Sequence, residues 1–124
     1  MFKIFLDDIR IPLDENWIVI KSYVDFISFI NSHQWNLIQE ISLDHDLGLE
    51  DETERNGYDV AKWLVEYSLD NSCILPLIKV HSANPVGSKN IISLINGYLI
   101  SNNQEPTCIS HIVELKRGIK LNLD

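Results

Sequence analysis

Three short polar runs carry the residues that can do chemistry: Asp7-Asp8, Asp44-His45-Asp46 and His81-Ser82-Ala83-Asn84. Clustered carboxylates repel. At about 4 Å one pair costs roughly 4 kcal/mol at an effective dielectric of 20. Three or four together need a cation or must take up protons. An all-oxygen set with room for water suits Mg²⁺, or Mn²⁺ in its place. Asp7, Asp8, Asp44 and Asp46 are therefore the expected metal ligands. Zinc would need His45 or His81 beside the carboxylates and ranks lower.

The third run offers different chemistry. His81 is an acid/base group, Ser82 a hydroxyl and Asn84 an amide. A helix is expected just after Pro85, and its unpaired N–H groups and dipole favour an anion. Gly87 would let a phosphate approach that backbone, and Ser88 could donate to it. The plainer role of Asn84-Pro85 is to cap and start the helix. His45 and His81 suit an acid/base pairing. His33 and His111 lack such a context and read as surface residues. Arg10 follows Asp8 closely. It can hold a phosphate through two N–H groups, or serve as the counter-ion that makes Asp7 and Asp8 tolerable.

The elements that must position these groups alternate along the chain. Short apolar runs predict strands over residues 2–6, 17–21, 37–43, 75–80 and 108–115. Helical spacing predicts helices over residues 22–32, 58–69 and 86–100, with Ser22 and Asp25 as a start signal for the first. The order implies an α/β fold: a mainly parallel sheet of four to five strands with helices on both faces. In such sheets ligands bind beyond the carboxyl ends of the strands, where all three polar runs fall. Residues 47–57 are the least apolar stretch, with Glu50, Asp51, Glu52 and Glu54. They read as a solvated loop or a flap over the site.

A chain of 124 residues favours one domain, 1–124, with a C-terminal strand and tail over 101–124. The net charge of −8 argues against duplex DNA and against an anionic membrane as partners. Cys73 and Cys108 read as unpaired thiols of a reducing compartment. Asp7 interrupts the first apolar run almost at once, and no apolar run reaches about 18 residues, so a cytoplasmic protein is expected.

Together the motifs resemble a known pattern. Asp7-Asp8, Asp44 and Ser82-Ala83 resemble the site of two-component receiver domains. Leu6-Asp7-Asp8-Ile9-Arg10, Ser42-Leu43-Asp44-His45-Asp46-Leu47-Gly48, Gly57-Tyr58-Asp59 and His81-Ser82-Ala83-Asn84-Pro85 are more similar still to the cyclic-phosphate processing receiver domains. The resemblance covers about residues 1–100. It implies a three-layer, flavodoxin-like domain, a divalent metal at Asp7, Asp8 and Asp44, and action on cyclic phosphates such as the 2′,3′ ends left when RNA is cut. Two departures from ordinary receivers stand out. No Lys-Pro follows a final strand, and no helix is expected between the first two strands. Both weigh against a phosphorelay switch.

The expectation is thus a metal-dependent phosphoesterase acting on a small cyclic nucleotide or an RNA end. Asp44, His45 and His81 would be catalytic, with Asp44 as metal ligand or as phosphorylated nucleophile. Arg10, Ser82, Asn84, Gly87 and Ser88 would hold the phosphate. The alternative is a non-enzymatic receiver-like module that binds a nucleotide or a protein.

Overall fold

The computed structural model describes residues 1–47 and 55–116. Strands β1 (Phe2–Leu6), β2 (Trp17–Ile20), β3 (Ile38–Leu43), β4 (Leu77–Val80) and β5 (Ile109–Ser110) form one sheet, ordered β2-β1-β3-β4-β5. Every pairing is parallel. Helices α1 (Tyr23–Ser32), α2 (Gly57–Asp70) and α3 (Pro85–Ser101) make the crossovers, and a 3₁₀ turn at Trp35–Leu37 leads into β3.

Each helix starts on a side-chain cap that satisfies an otherwise orphaned N–H. Ser22 accepts from the Asp25 N–H, and Asn84 accepts from the Gly87 N–H with Pro85 opening α3. Asn56 and Asp59 form a reciprocal capping box on α2. That cap places the start of α2 at Gly57, one residue before the hydrophobic pattern suggests.

Strand alternation divides the sheet into two unlike faces. Ile4, Leu6, Ile41, Leu43, Ile78 and Val80 point one way, into a core shared with Phe26 and Ile30 of α1, Val60 and Leu64 of α2, and Ile91 and Ile95 of α3. All three helices therefore lie on this face. Lys3, Phe5, Glu40, Ser42 and Lys79 alternate with these core residues and belong to the opposite face. Against the expectation of helices on both faces, this one carries two non-helical segments, joined through an antiparallel bridge between Pro12 and Leu115. The Leu13 N–H donates to Glu114 O at 2.7 Å and the Lys116 N–H to Ile11 O at 2.8 Å. The receiver-like sheet is as expected, but among the described residues helices cover one face only. The chain between β1 and β2 is too short and too broken by Pro12 to form one.

The expected last strand over residues 108–115 shrinks to Ile109–Ser110, because its later residues leave β4 to make that bridge. The strand expected from residue 75 begins at Leu77. Residues 48–54 of the expected flap over 47–57 lie outside the described residues, as does the tail beyond Lys116. Among the described residues no helix is long and apolar enough to cross a membrane.

Candidate functional site

The register aligns four strand ends. The residue following each strand donates its backbone N–H to the last residue of the neighbouring strand: Asp7 to Ile20 O, Asp44 to Leu6 O, His81 to Leu43 O and His111 to Val80 O, at 2.9–3.0 Å. Being one residue past strand ends that pair level, all four belong to the non-helical face. The site is thus a consequence of parallel pairing, which brings residues 7, 44, 81 and 111 to one edge.

Asp7 is the most heavily bonded. Its Oδ1 accepts the backbone N–H groups of Ile9 and Arg10, both at 2.9 Å. Its Oδ2 accepts Arg10 Nε at 2.8 Å and faces His81 Nε2 at 3.1 Å. Burial alone would raise its pKa. The His81 bond, the two backbone donors and the Arg10 charge together bring it below the ordinary carboxylate value. Arg10 also reaches Asp44 Oδ1 through Nη2 at 3.1 Å, and the Asp44 Oδ1 accepts the His45 N–H at 2.8 Å. Asp44 is pushed upward, first by burial and then by the charge of Asp7, against the pull of Arg10 and His81.

Asp7, Asp8 and Asp44 each offer a carboxylate oxygen, and these oxygens lie within 4.8 Å of one another. Metal–oxygen distances of about 2.0–2.6 Å span such a gap, and an all-oxygen set suits a hard divalent cation. Asp7 and Asp44 are both buried and share the Arg10 guanidinium between them, so a cation beside them would be welcome. The residues present therefore fit Mg²⁺ or Mn²⁺. Asp46 stands outside this group. It is largely exposed, accepts from Asn84 Nδ2 at 3.4–3.5 Å, and lies 2.8 Å from His45 Nδ1.

His81 is nearly enclosed, its side chain 4% exposed, with its ring stacked on Phe5 at a centroid distance of 4.0 Å. It lines a cavity of about 330 Å³ with Arg10, Ser82, Ala83 and His111. His45 lines a different cavity, with Asn56, Tyr58 and Asn90. The two histidines expected to act as a pair are set apart, because they leave their strands in different directions. His81 holds the level of Asp7, whereas His45 turns toward the start of α3.

The helix start is occupied too. The Asn84 side chain takes the Gly87 N–H at 2.9 Å, and the Asn84 N–H donates to Ser82 Oγ at 3.0 Å. A Cβ on Gly87 would stand 2.3 Å from His45 Cγ, so the room beside this glycine houses an imidazole. The backbone expected to approach a phosphate at Gly87 thus has its N–H on Asn84 and its flank against His45. Ser88 is buried, and its Oγ has no hydrogen-bond partner among the described residues.

Two residues of the site escaped sequence reasoning. Ser42 Oγ lies 2.7 Å from both His81 Nδ1 and His111 Nε2. His111 thus joins the buried network instead of sitting on the surface. Ser42 was findable, since it stands two residues before Asp44 and so shares its face. His111 carried little signal, because β5 is only two residues long. Cys73 and Cys108 are unpaired, as expected.

No curated protein and no solved structure gives a significant match to the chain. The cyclic-phosphate processing receiver domain matches residues 2–97, the span that holds β1 to β4, α1, α2 and most of α3, and every carboxylate of the cluster. A parallel β2-β1-β3-β4-β5 sheet with its acidic cluster past β1 and β3 agrees with that match, and the chain belongs to the cyclic-phosphate processing receiver domain family.

Proposed function

We propose that this chain is a metal-dependent phosphoesterase that opens a cyclic phosphate on a small nucleotide or an RNA end. The observation that carries this reading is the convergence of Asp7, Asp8 and Asp44 within 4.8 Å, with buried His81 directly against Asp7. Mg²⁺ or Mn²⁺ held by these three carboxylates would supply a Lewis acid for a phosphoryl oxygen and a more acidic water.

The protein's own groups do the rest. Water adds to phosphorus, one ester P–O bond breaks, and the freed ribose oxygen takes a proton, leaving a monophosphate. His81 is the group placed to handle that proton, since its ring is fixed by Phe5 and Asp7 and lines the cavity beside Arg10. The guanidinium of Arg10 fixes the phosphate against the carboxylates. Ser82, on the same cavity, supplies a hydroxyl. Asn84 holds the loop that carries Ser82, and His45 with Asp46 forms the neighbouring wall. The net charge of −8 fits a small substrate better than a long duplex.

A screen of 2′,3′- and 3′,5′-cyclic nucleotides with Mg²⁺ or Mn²⁺, with Asp44→Asn as control, tests the reading. Release of a linear monophosphate by the wild type alone supports it. Stable labelling of Asp44 by a small phosphodonor, without turnover, would favour a receiver-like switch instead.

A further inference from the structure

We infer that Ser88 and Lys89 form a second phosphate subsite beside the proposed reaction site, so that the substrate is a cyclic phosphate whose nucleoside carries a further phosphate. The inference rests on the proposed reading of that site. It is carried by a cavity, an orphaned hydroxyl and an unpaired cation.

The cavity, of about 620 Å³, is lined by Ser82, Pro85, Ser88, Lys89, Ile92 and Ser110. Ser82 and Ser110 also line the cavity that holds Arg10 and His81, so the two cavities share a wall. A ligand that fills one reaches the edge of the other.

Ser88 is 7% exposed, and its buried Oγ has no hydrogen-bond partner among the described residues. A buried hydroxyl without a partner is costly, and rotation about one bond can turn it to an acceptor in the cavity. Ser82 Oγ accepts the Asn84 N–H at 3.0 Å, which leaves its own hydrogen to give. Ser110 is loosely engaged, with its Oγ 3.5 Å from Val80 O. The Gly87 N–H is already taken by Asn84, so side chains rather than the helix end make this subsite.

Lys89 supplies the charge. It stands near the positive end of α3, a helix with no acidic residue in its first turn or anywhere along its 17 residues. Among the described residues no carboxylate pairs with it. In a chain of net charge −8, this cavity is lined by a cation and no carboxylate. The cavity that holds Lys3 and Lys79 differs, because Asp14 and Glu40 pair with those lysines at 3.5 Å. Hydroxyl hydrogens and an ammonium without a fixed acceptor suit a group that only accepts, and a phosphate is such a group. Pro85 and Ile92 add an apolar wall for the sugar carbons.

Two substrates test this: adenosine 2′,3′-cyclic phosphate, and the same nucleotide with a 5′-phosphate. With Mg²⁺ the wild type should show a kcat/KM about fivefold higher for the second, through KM. In Lys89→Gln the two substrates should agree within about twofold. Equal kcat/KM in the wild type, or a preference that survives Lys89→Gln, would overturn the inference. If neither nucleotide is turned over, the proposed function fails and binding decides the subsite. In ¹H–¹⁵N spectra of the full chain, adenosine 3′,5′-bisphosphate should shift the amides of Ser88, Lys89 and Ser110, and adenosine 3′-phosphate should leave them in place. Ser88→Ala and Lys89→Gln should each weaken bisphosphate binding about threefold or more. Amides unmoved by the bisphosphate, or moved as strongly by inorganic phosphate alone, would overturn the inference, the latter by marking a site for the free ion.

Discussion

The imidazole of His45 occupies the space that a side chain on Gly87 would need. A Cβ there would stand 2.3 Å from His45 Cγ and 2.6 Å from Cδ2. The glycine in the first turn of α3 is thus paired with the histidine shortly after β3, and the helix start and the loop are locked together by shape. Gly87→Ala should push His45 off Asp46 at a cost of about 1–3 kcal/mol, the range for overpacking. Gly57→Ala should cost more, because its Cβ would meet the Asp44 carbonyl oxygen at 1.8 Å and backbone must move. Urea unfolding of the two variants checks the order. Equal midpoints would refute it.

The two central aspartates should give opposite pH signatures. Asp44 has a folded pKa above its ordinary 3.8, so its contribution is full below 3.8 and lost as pH rises through the folded value. Asp7 has a folded pKa below 3.8, so its contribution is present above 3.8 and lost as pH falls through the folded value. In EDTA, Asp44→Asn should be more stable than the wild type at pH 7, and the difference should shrink as pH falls toward 3.8. Denaturant titrations at a series of pH values measure that difference. A gap that widens with acid would show the sign to be wrong.

Arg10 serves as the internal cation of the cluster, bonded to Asp7 at 2.8 Å and Asp44 at 3.1 Å. Replacing it strands buried negative charge. Arg10→Gln should lose about 2 kcal/mol in EDTA, less than a fully buried pair would, because the guanidinium is about a third exposed. Mg²⁺ should recover more stability in this variant than in the wild type. Thermal melts with and without metal provide the comparison, and equal gains would count against a shared site.

Cys108 is 1% exposed, and burial pushes its thiol up to about 12, so its reactive thiolate is scarce at pH 8. Cys73 is only half-buried. Alkylation of the native protein should mark Cys73 first, and Cys108 only on unfolding. Peptide mapping after timed labelling reads the order directly.

Much of this was legible in the residues. Ile4, Leu6, Ile41, Leu43, Ile78 and Val80 announce strands, and the acids after Leu6 and Leu43 announce a shared edge, because parallel strands end level. That rule brought Asp7, Asp8, Asp44 and Asp46 together, and the family resemblance singled out the first three. Register is what the sequence does not carry. Nothing in His111-Ile112-Val113 says that the chain leaves β4 after two residues, or that His111 ends level with His81. Asp46 and Asp44 share an alternation in an ideal strand, but β3 stops at Leu43 and the backbone then turns, which carries Asp46 out to Asn84. The missing helix on one face had its cause in view, in Pro12 and a short link, yet its replacement by a clasp with Leu115 needed the tertiary fold.

The most direct test follows the phosphorus itself. ³¹P NMR of a 2′,3′-cyclic nucleotide incubated with the protein and Mg²⁺ or Mn²⁺ distinguishes the strained cyclic diester from its monoester product. The expected result is conversion to a ribose monophosphate that requires metal, stops with EDTA and is lost in Asp44→Asn. A folded wild-type chain that leaves every cyclic phosphate intact with either metal would contradict the account.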